Sequence, residues 1–355
     1  MTRVLAAGTT PPTDWDQSVV APAGGHVLQS RAWAEHRAGQ GWQPRFITFD
    51  DGRSALLLTR RQSPLPGFVA YAPRGPISAG DGAEAVVARA IALANWAGIE
   101  GCRVLTVDPE LDASTDYDRA LAGRGFRERE EIQASRHRML VALGEGVGED
   151  DLLGRMTKSA RQRVRAAERA GTVVEMDEQG AALPDLARML GEAAETKHFS
   201  MGNVGPLRAW WRRALAAGHA RLWVARHEGA VVGALLAYAH GGHFATAYSA
   251  DDRSSRDRLQ GTMHLLRWQL LQAALAAGHP YADLGGVDVP GARRLPNEGE
   301  PTYGLYEHKR SLGAEWTESA AAHEIVLRPF AQRLAVALGG LRGMVARRRG
   351  GTGGG

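Results

Sequence analysis

The order of structural signals repeats along the chain, and that repetition constrains the fold more than any single motif. In the first half, PRFITFDDGRSALLLTRR alternates apolar and polar residues on either side of Asp51-Gly52, as a hairpin does. AEAVVARAIALANWAGI then has helical apolar spacing, CRVLTVDP reads as a buried strand, and YDRALAGRGFRERE as a short helix ending at Gly123 to Gly125. The second half offers the helix PLRAWWRRALAAG and the hairpins ARLWVARHEGAVVGALLAYAHGGHFATAYSA, which turn at Glu228-Gly229 and Gly241-Gly242. The helix GTMHLLRWQLLQAALAAG and the strand YADLGG complete it. Residues match poorly between the halves, but the order predicts an α/β or α+β domain made twice, with mixed sheets.

Length agrees, since 355 residues suffice for two medium domains. The single cysteine, Cys102, lies in the apolar run GCRVLTVD, which leaves no disulfide framework or cysteine-based zinc site and makes a reduced cytoplasm the expected home. The opening MTRVLAAGTTPPTDWDQ has too short an apolar run for a signal peptide, and no window reaches the roughly 18 apolar residues of a membrane span. A net charge of +4 with clustered arginines allows an anionic partner without requiring one. No P-loop, post-strand G-x-G-x-x-G, H-E-x-x-H or G-x-S-x-G occurs. The twelve histidines are scattered, His240 and His243 beside a Gly-Gly turn being the best pair, so neither a metal nor another cofactor is expected. A donor used here must arrive already activated, as an ester or thioester does.

Four stretches are richer than a scaffold requires. Asp151 to Gly171 reads as one helix, with Met156, Ala160, Val164 and Ala167 on one face and Lys158, Arg161, Arg165 and Arg169 on another. The cations suit a phosphate backbone or a diphosphate, or form a solvated face. YAPRGP holds Tyr71 and sets Arg74 between prolines, in a stiff extended segment that fits a binding rim or a solvated edge. In TVDPE, Asp108 ends a buried strand where α/β sheets commonly build sites; it can hold or deprotonate an amine, or cap a turn. Finally, a long Gly/Pro-rich stretch from Asp283 leads into Tyr303, Tyr306 and Lys309. Connections of that length inside a domain are usually functional or disordered, and the ammonium fits either an oxyanion or a surface pair with Glu307 or Glu315. Beyond Trp316, TESAAAHEIVLRP alternates like a closing strand, and FAQRLAVALGGLRGMVARRR is a basic amphipathic helix that either rests on an anionic membrane or packs on the body.

LQSRAW, YAPRGP, RQRVRAAERAG, AYSAD with the helix and GHPYADLGGV that follow, and the Y-x-x-K-x-x-x-G element YEHKRSLG together resemble the Fem family of peptidoglycan aminoacyltransferases. Each motif is weak alone; their shared order, over nearly the whole chain, carries the resemblance. It implies two tandem acetyltransferase-like (GNAT) domains of α/β (α+β) class, without the coiled-coil arm of some members. The implied boundaries are 1–148 and 149–312, with 313–330 as a strand returning to the first domain and 331–355 forming the basic helix and a disordered Gly-rich tail.

The resemblance further implies transfer of an amino acid from aminoacyl-tRNA to the stem-peptide amine of a UDP-linked or lipid-linked muramyl pentapeptide, without cofactor. The implied enzyme is a cytoplasmic monomer that touches the inner membrane face if its last helix binds there. Lys309 matches the family's catalytic lysine and Asp108 a carboxylate near the attacking amine. Arg37 falls where a basic residue grips the diphosphate, and Tyr248 where a tyrosine contacts the precursor. Tyr71, Arg74, Trp211, Tyr303 and Tyr306 complete the expected substrate-binding set, with His308 where the family often has an aromatic residue. The second phosphate-gripping arginine, expected after ETKHFS, is replaced by MGNVG, leaving Lys197 or Arg208 as substitutes. Two rival readings stay open: an acyl-CoA N-acyltransferase, for which RLQGTM supplies Arg258 and Gly261 but puts Met263 at a small-residue position, and a noncatalytic tRNA- or precursor-binding protein.

Overall fold

The computed structural model describes residues 2–61, 66–130, 132, 137–197, 204–289 and 291–338. Its strands are β1 (Val4–Gly8), β2 (Gln43–Phe49), β3 (Ser54–Arg61), β4 (Phe68–Ala72), β5 (Cys102–Val107), β6 (Arg127–Arg129), β7 (Arg138–Ala142), β8 (Val173–Met176), β9 (Ala220–His227), β10 (Ala230–His240), β11 (His243–Asp251), β12 (Tyr281–Asp283), β13 (Glu315–Thr317) and β14 (Ala322–Val326). They form two seven-stranded mixed sheets, ordered β1-β2-β3-β4-β5-β14-β6 and β13-β7-β12-β11-β10-β9-β8. Each sheet has one parallel pair, β4 with β5 and β11 with β12. The helices are α1 (Trp15–Val19), α2 (Arg31–Ala38), α3 (Ala83–Ile99), α4 (Thr115–Ala122), α5 (Glu149–Arg155), α6 (Lys158–Arg169), α7 (Leu183–Lys197), α8 (Val204–Ala216), α9 (Thr262–Ala276) and α10 (Tyr303–Arg310).

The returning strand is β14, which pairs antiparallel with β5 through His323 and Val107. The strand before it, β13, stays with the second sheet by pairing with β7. A boundary at 148 therefore cuts β7 away from its partners, because Val141 pairs with Ala282 of β12. The single helix expected over 151–171 is two helices. Met156 is extended, and the Thr157 hydroxyl caps α6 by accepting from the Ala160 amide.

The halves share one interior. The Trp33 indole of α2 meets that of Trp210 in α8 edge-on at 4.7 Å, and Val27 and Leu28 pack into the cluster holding Leu186 and Leu236. LQSRAW organises this junction. Gln29 is fully buried; its amide donates to the carbonyls of Pro73 (2.6 Å) and Leu56 (3.3 Å) and accepts from the Leu56 amide (2.7 Å), so β3 and YAPRGP are tied to the start of α2. Ser30 then caps α2 by accepting from Trp33.

In the second domain α6 lies against the start of α9, where Gly261 is left-handed (φ +96°). A Cβ there would overlap the Arg163 carbonyl. Gly261→Ala is expected to destabilise the fold by roughly 3 kcal/mol, from backbone strain plus overpacking. A urea midpoint unchanged from the parent would contradict this packing. Residues 329–338 are helical and expose Phe330 (85%) and Val336 (65%); the glycine tail and the cations from Arg342 onward lie outside the described residues.

Candidate active site

Tyr71 on β4 stands opposite Thr106 on the parallel β5, so Asp108, two residues on, emerges beside the tyrosine's strand end. The Asp108 carboxylate accepts from the Tyr71 hydroxyl (2.7 Å) and the Arg74 amide (2.6 Å), and is 2% exposed. Arg74 adopts φ +50°, the left-handed conformation that turns its N–H toward the carboxylate. Arg37 extends this cluster. Its guanidinium lies between the rings of Trp33 (5.4 Å) and Trp42 (5.2 Å), donates to Gln40 (2.6 Å) and has no carboxylate partner among the described residues. Burial lowers its pKa, Tyr71 opposes that shift and Arg60 adds to it, which places Arg37 in the electrostatic reach of Tyr71. Two cations, an aromatic frame and a buried carboxylate suit an anionic substrate that also bears an amine.

Lys309 is the buried residue of α10, the helix that follows the Gly/Pro-rich stretch. Its Nζ donates to the carbonyls of Gly285 (2.8 Å) and Gly286 (2.9 Å), the residues just past β12. Gly285 is left-handed (φ +81°), and a Cβ there would stand 3.0 Å from the Thr246 carbonyl and 3.4 Å from Nζ. Burial lowers the Lys309 pKa to about 7, Arg267 adds to the shift, and Asp283 and Asp288 oppose it. An ammonium has three donors, so two are spent on carbonyls and one remains.

Sequence reading passed over Arg267, although a lone cation interrupting the apolar helix TMHLLRWQLLQAALA was a visible signal. Arg267 is 3% exposed and donates to His308 Nε2 (3.0 Å) and the Ser249 hydroxyl (3.0 Å). An arginine only donates, so His308 is neutral with its proton on Nδ1; burial and the neighbouring Arg267 keep it so. The His264 ring lies 4.1 Å from that of His308.

A second unforeseen cluster joins the domains. Glu110 faces His26 (3.4 Å), Arg138 (3.4 Å) and His243 (3.8 Å), while His240 sits 4.1 Å from His26 ring to ring. Donor atoms of His26, Glu110 and His240 lie within 4.8 Å of one another, the spacing of a metal site. The hydrogen bonds of His26 argue otherwise: its Nδ1 accepts from the Leu28 amide (3.0 Å), so its proton is on Nε2, aimed at Glu110, and His26 offers no lone pair to a cation there. Arg138 on the same carboxylate repels one further. The group reads as an ionic clasp.

The clasp predicts acid sensitivity. Burial lowers the pKa of all three histidines, that of His243 from 6.5 to about 4. Burial alone would raise Glu110, but the histidines and Arg138 hold it well below the usual carboxylate range. Between those limits the unfolded chain binds more protons than the folded one, so stability present above pH 6.5 is lost as pH falls toward 4. The expected contribution of His243 alone is about 3 kcal/mol. Urea unfolding free energies that stay flat across this window would contradict it.

The other expected residues are dispersed. Trp211 is fully buried and packs 4.9 Å from the Tyr248 ring; it therefore supports Tyr248 and offers no face to a substrate. Tyr248 is half-buried, and desolvation raises its pKa. Tyr303 and Tyr306 are half-buried with rings 6.2 Å apart, and Arg310 lies over Tyr306. Lys158, Arg165 and Arg169 are exposed, whereas Arg161 binds the carbonyls of Leu153 (2.7 Å) and Met156 (2.5 Å) and so closes the end of α5. The side chain of Lys197 and residues 198–203 lie outside the described residues. The structure thus joins Tyr71, Arg74 and Asp108 by hydrogen bonds, and sets Lys309 on separate carbonyls.

The FemAB family matches residues 12–133, and the acetyltransferase (GNAT) domain matches residues 154–310. The first part of the chain is thus similar to the FemAB family and the second to an acetyltransferase (GNAT) domain. Among its relatives, lipid II:glycine glycyltransferase of Staphylococcus aureus is 29% identical over 190 residues, which is 50% of this chain and 45% of that protein. The chain thus matches slightly less than half the length of that curated relative. The crystal structure of FemX superposes with a TM-score of 0.77 at 20% identity, covering 93% of this chain and 99% of that one. A conserved protein of unknown function from Bacteroides thetaiotaomicron gives 0.55 at 12% identity, covering 90% and 98%. These likenesses show a doubled acetyltransferase-like fold, and no coiled-coil arm occurs among the described residues.

Proposed function

We propose that this protein transfers an amino acid from aminoacyl-tRNA to an amine on the stem peptide of a peptidoglycan precursor. The observation that carries the reading is Lys309, a buried ammonium held by two backbone carbonyls with one donor left over. An aminoacyl ester is already activated, so the protein must align amine and carbonyl and stabilise the charge that develops. The acceptor amine forms a bond to the ester carbon, the carbonyl oxygen becomes an oxyanion facing Lys309, and the bond to the ribose oxygen breaks. Asp108 holds the attacking amine and accepts its proton, which passes on to the departing ribose oxygen so that it leaves as a hydroxyl. Arg37, framed by two tryptophans and lacking a carboxylate partner, suits the diphosphate of a nucleotide- or lipid-linked precursor. Lys158, Arg165 and Arg169 supply an exposed basic face for the tRNA backbone. The name of the staphylococcal relative favours a lipid-linked acceptor, and exposed Phe330 and Val336 on the last helix give this protein an apolar edge for a membrane surface.

The test presents the protein with bulk tRNA charged with labelled amino acids, and with UDP-linked or lipid-linked muramyl pentapeptide as acceptor. Mass gain on the stem peptide with either acceptor supports the reading and names the amino acid. Labelling only from acetyl-CoA in a parallel reaction would replace it with an acyl-CoA enzyme.

A further inference from the structure

Of the charged groups that act on Lys309, Arg267 is the cation, and Asp283 and Asp288 oppose it. Arg267 comes from α9, 3% exposed, with its Nε unbonded and its other nitrogens on neutral partners. Asp251 on β11 acts on it electrostatically but is itself chelated by Arg256, at 2.7 and 3.2 Å. From α6, Arg163 adds positive charge toward His264 and His308, and both histidines are neutral. On the far side of Lys309 stand Asp283 and Asp288, the first also held by the field of Arg138. Arg267 also bonds the residue immediately before Lys309, so one guanidinium both fixes the seat of α10 and charges its surroundings.

We propose that Arg267 is a positioning residue for the transfer step, seating His308, the neighbour of Lys309, through a buried hydrogen bond and adding a positive charge to the field at Lys309. The kinetic part of this inference rests on the function proposed above; the electrostatic part does not. Burial first and Arg267 second bring the Lys309 pKa to about 7, so the protonated form that meets an oxyanion wanes as pH rises through about 7. Without that charge the ammonium persists to higher pH. The seat of His308 is lost at the same time, so the rate falls even where Lys309 remains charged.

The chain has only three lysines, Lys158, Lys197 and Lys309, which makes direct titration practical. In protein labelled with 13C-lysine, the side-chain resonance absent from Lys309→Met identifies Lys309, and its titration needs no substrate. The expected result is a midpoint near 7 in the parent, raised by at least about one pH unit in Arg267→Gln, with the other two lysines unmoved. In the transfer assay, Arg267→Gln is expected to lower kcat roughly tenfold and move the alkaline limb the same way, leaving the precursor KM unchanged. Arg267→Lys keeps the charge without the planar fork, so it restores the Lys309 midpoint but not the full rate. A parent Lys309 that titrates near 10.5, or one indifferent to Arg267→Gln, overturns the proposal. If the midpoint moves while no transfer is found with any acceptor, the reaction assignment fails and the electrostatic role stands.

Discussion

Lys309→Met is expected to lower kcat by roughly 10²- to 10³-fold, the usual loss for one oxyanion donor, and at the same time to raise thermal stability at pH 7. The two effects have one origin. Lowering the lysine pKa from 10.5 to about 7 costs the fold roughly 3–5 kcal/mol at neutral pH. Methionine removes that cost but leaves the Gly285 and Gly286 carbonyls without a donor, which returns about 2 kcal/mol. The net gain corresponds to a rise in Tm of roughly 2–4 °C. The sign follows from linkage: between about 7 and 10.5 the unfolded chain holds a proton that the folded chain has released, so the native penalty shrinks as pH rises. The advantage of the methionine variant should therefore be largest near pH 7 and fade toward pH 10. A variant both inactive and less stable at neutral pH would mean that the carbonyls, not the buried charge, dominate this site.

Asp108→Asn is expected to abolish nearly all turnover, by roughly 10²- to 10³-fold, while leaving the fold intact. The geometry permits this separation. The Arg74 amide can still donate to the asparagine oxygen, and the Tyr71 hydroxyl, which rotates, can accept from the new amide nitrogen. What disappears is the charge and its capacity to accept a proton. Retained Tm with lost kcat supports Asp108 as the group that handles the amine. Retained activity would reduce it to a brace for the YAPRGP segment.

The doubled architecture and the place of Asp108 at the end of a buried strand were legible in the chain for local reasons. Hydrophobic alternation, the Gly turns and the spacing within CRVLTVDP and YEHKRSLG are short-range signals, and short-range signals set the elements. What escaped was long-range. β7 could not be assigned to the second sheet because its partner β12 lies about 140 residues away, and a five-residue strand carries no mark of its mate. The clasp escaped for the same reason: His26, Glu110 and His240 become neighbours only when the domains close. Trp211, expected in the substrate-binding set, is fully buried against Tyr248, while its neighbour Trp210 turns its ring to Trp33 of α2, contacts that helical spacing alone does not reveal. Arg161 shares a stripe with Lys158 and Arg165 but reaches backward to the end of α5, a use that helical spacing alone does not reveal.

The most direct measurement of the central claim is a single-turnover reaction of excess protein with aminoacyl-tRNA carrying a labelled amino acid and a muramyl pentapeptide, following both the ester and the new amide. The proposed chemistry requires that amide appear as ester is lost, one for one, and that both slow together in Lys309→Met. Ester that survives intact while acetyl-CoA acylates the same acceptor, or an amide yield indifferent to Lys309, would contradict it.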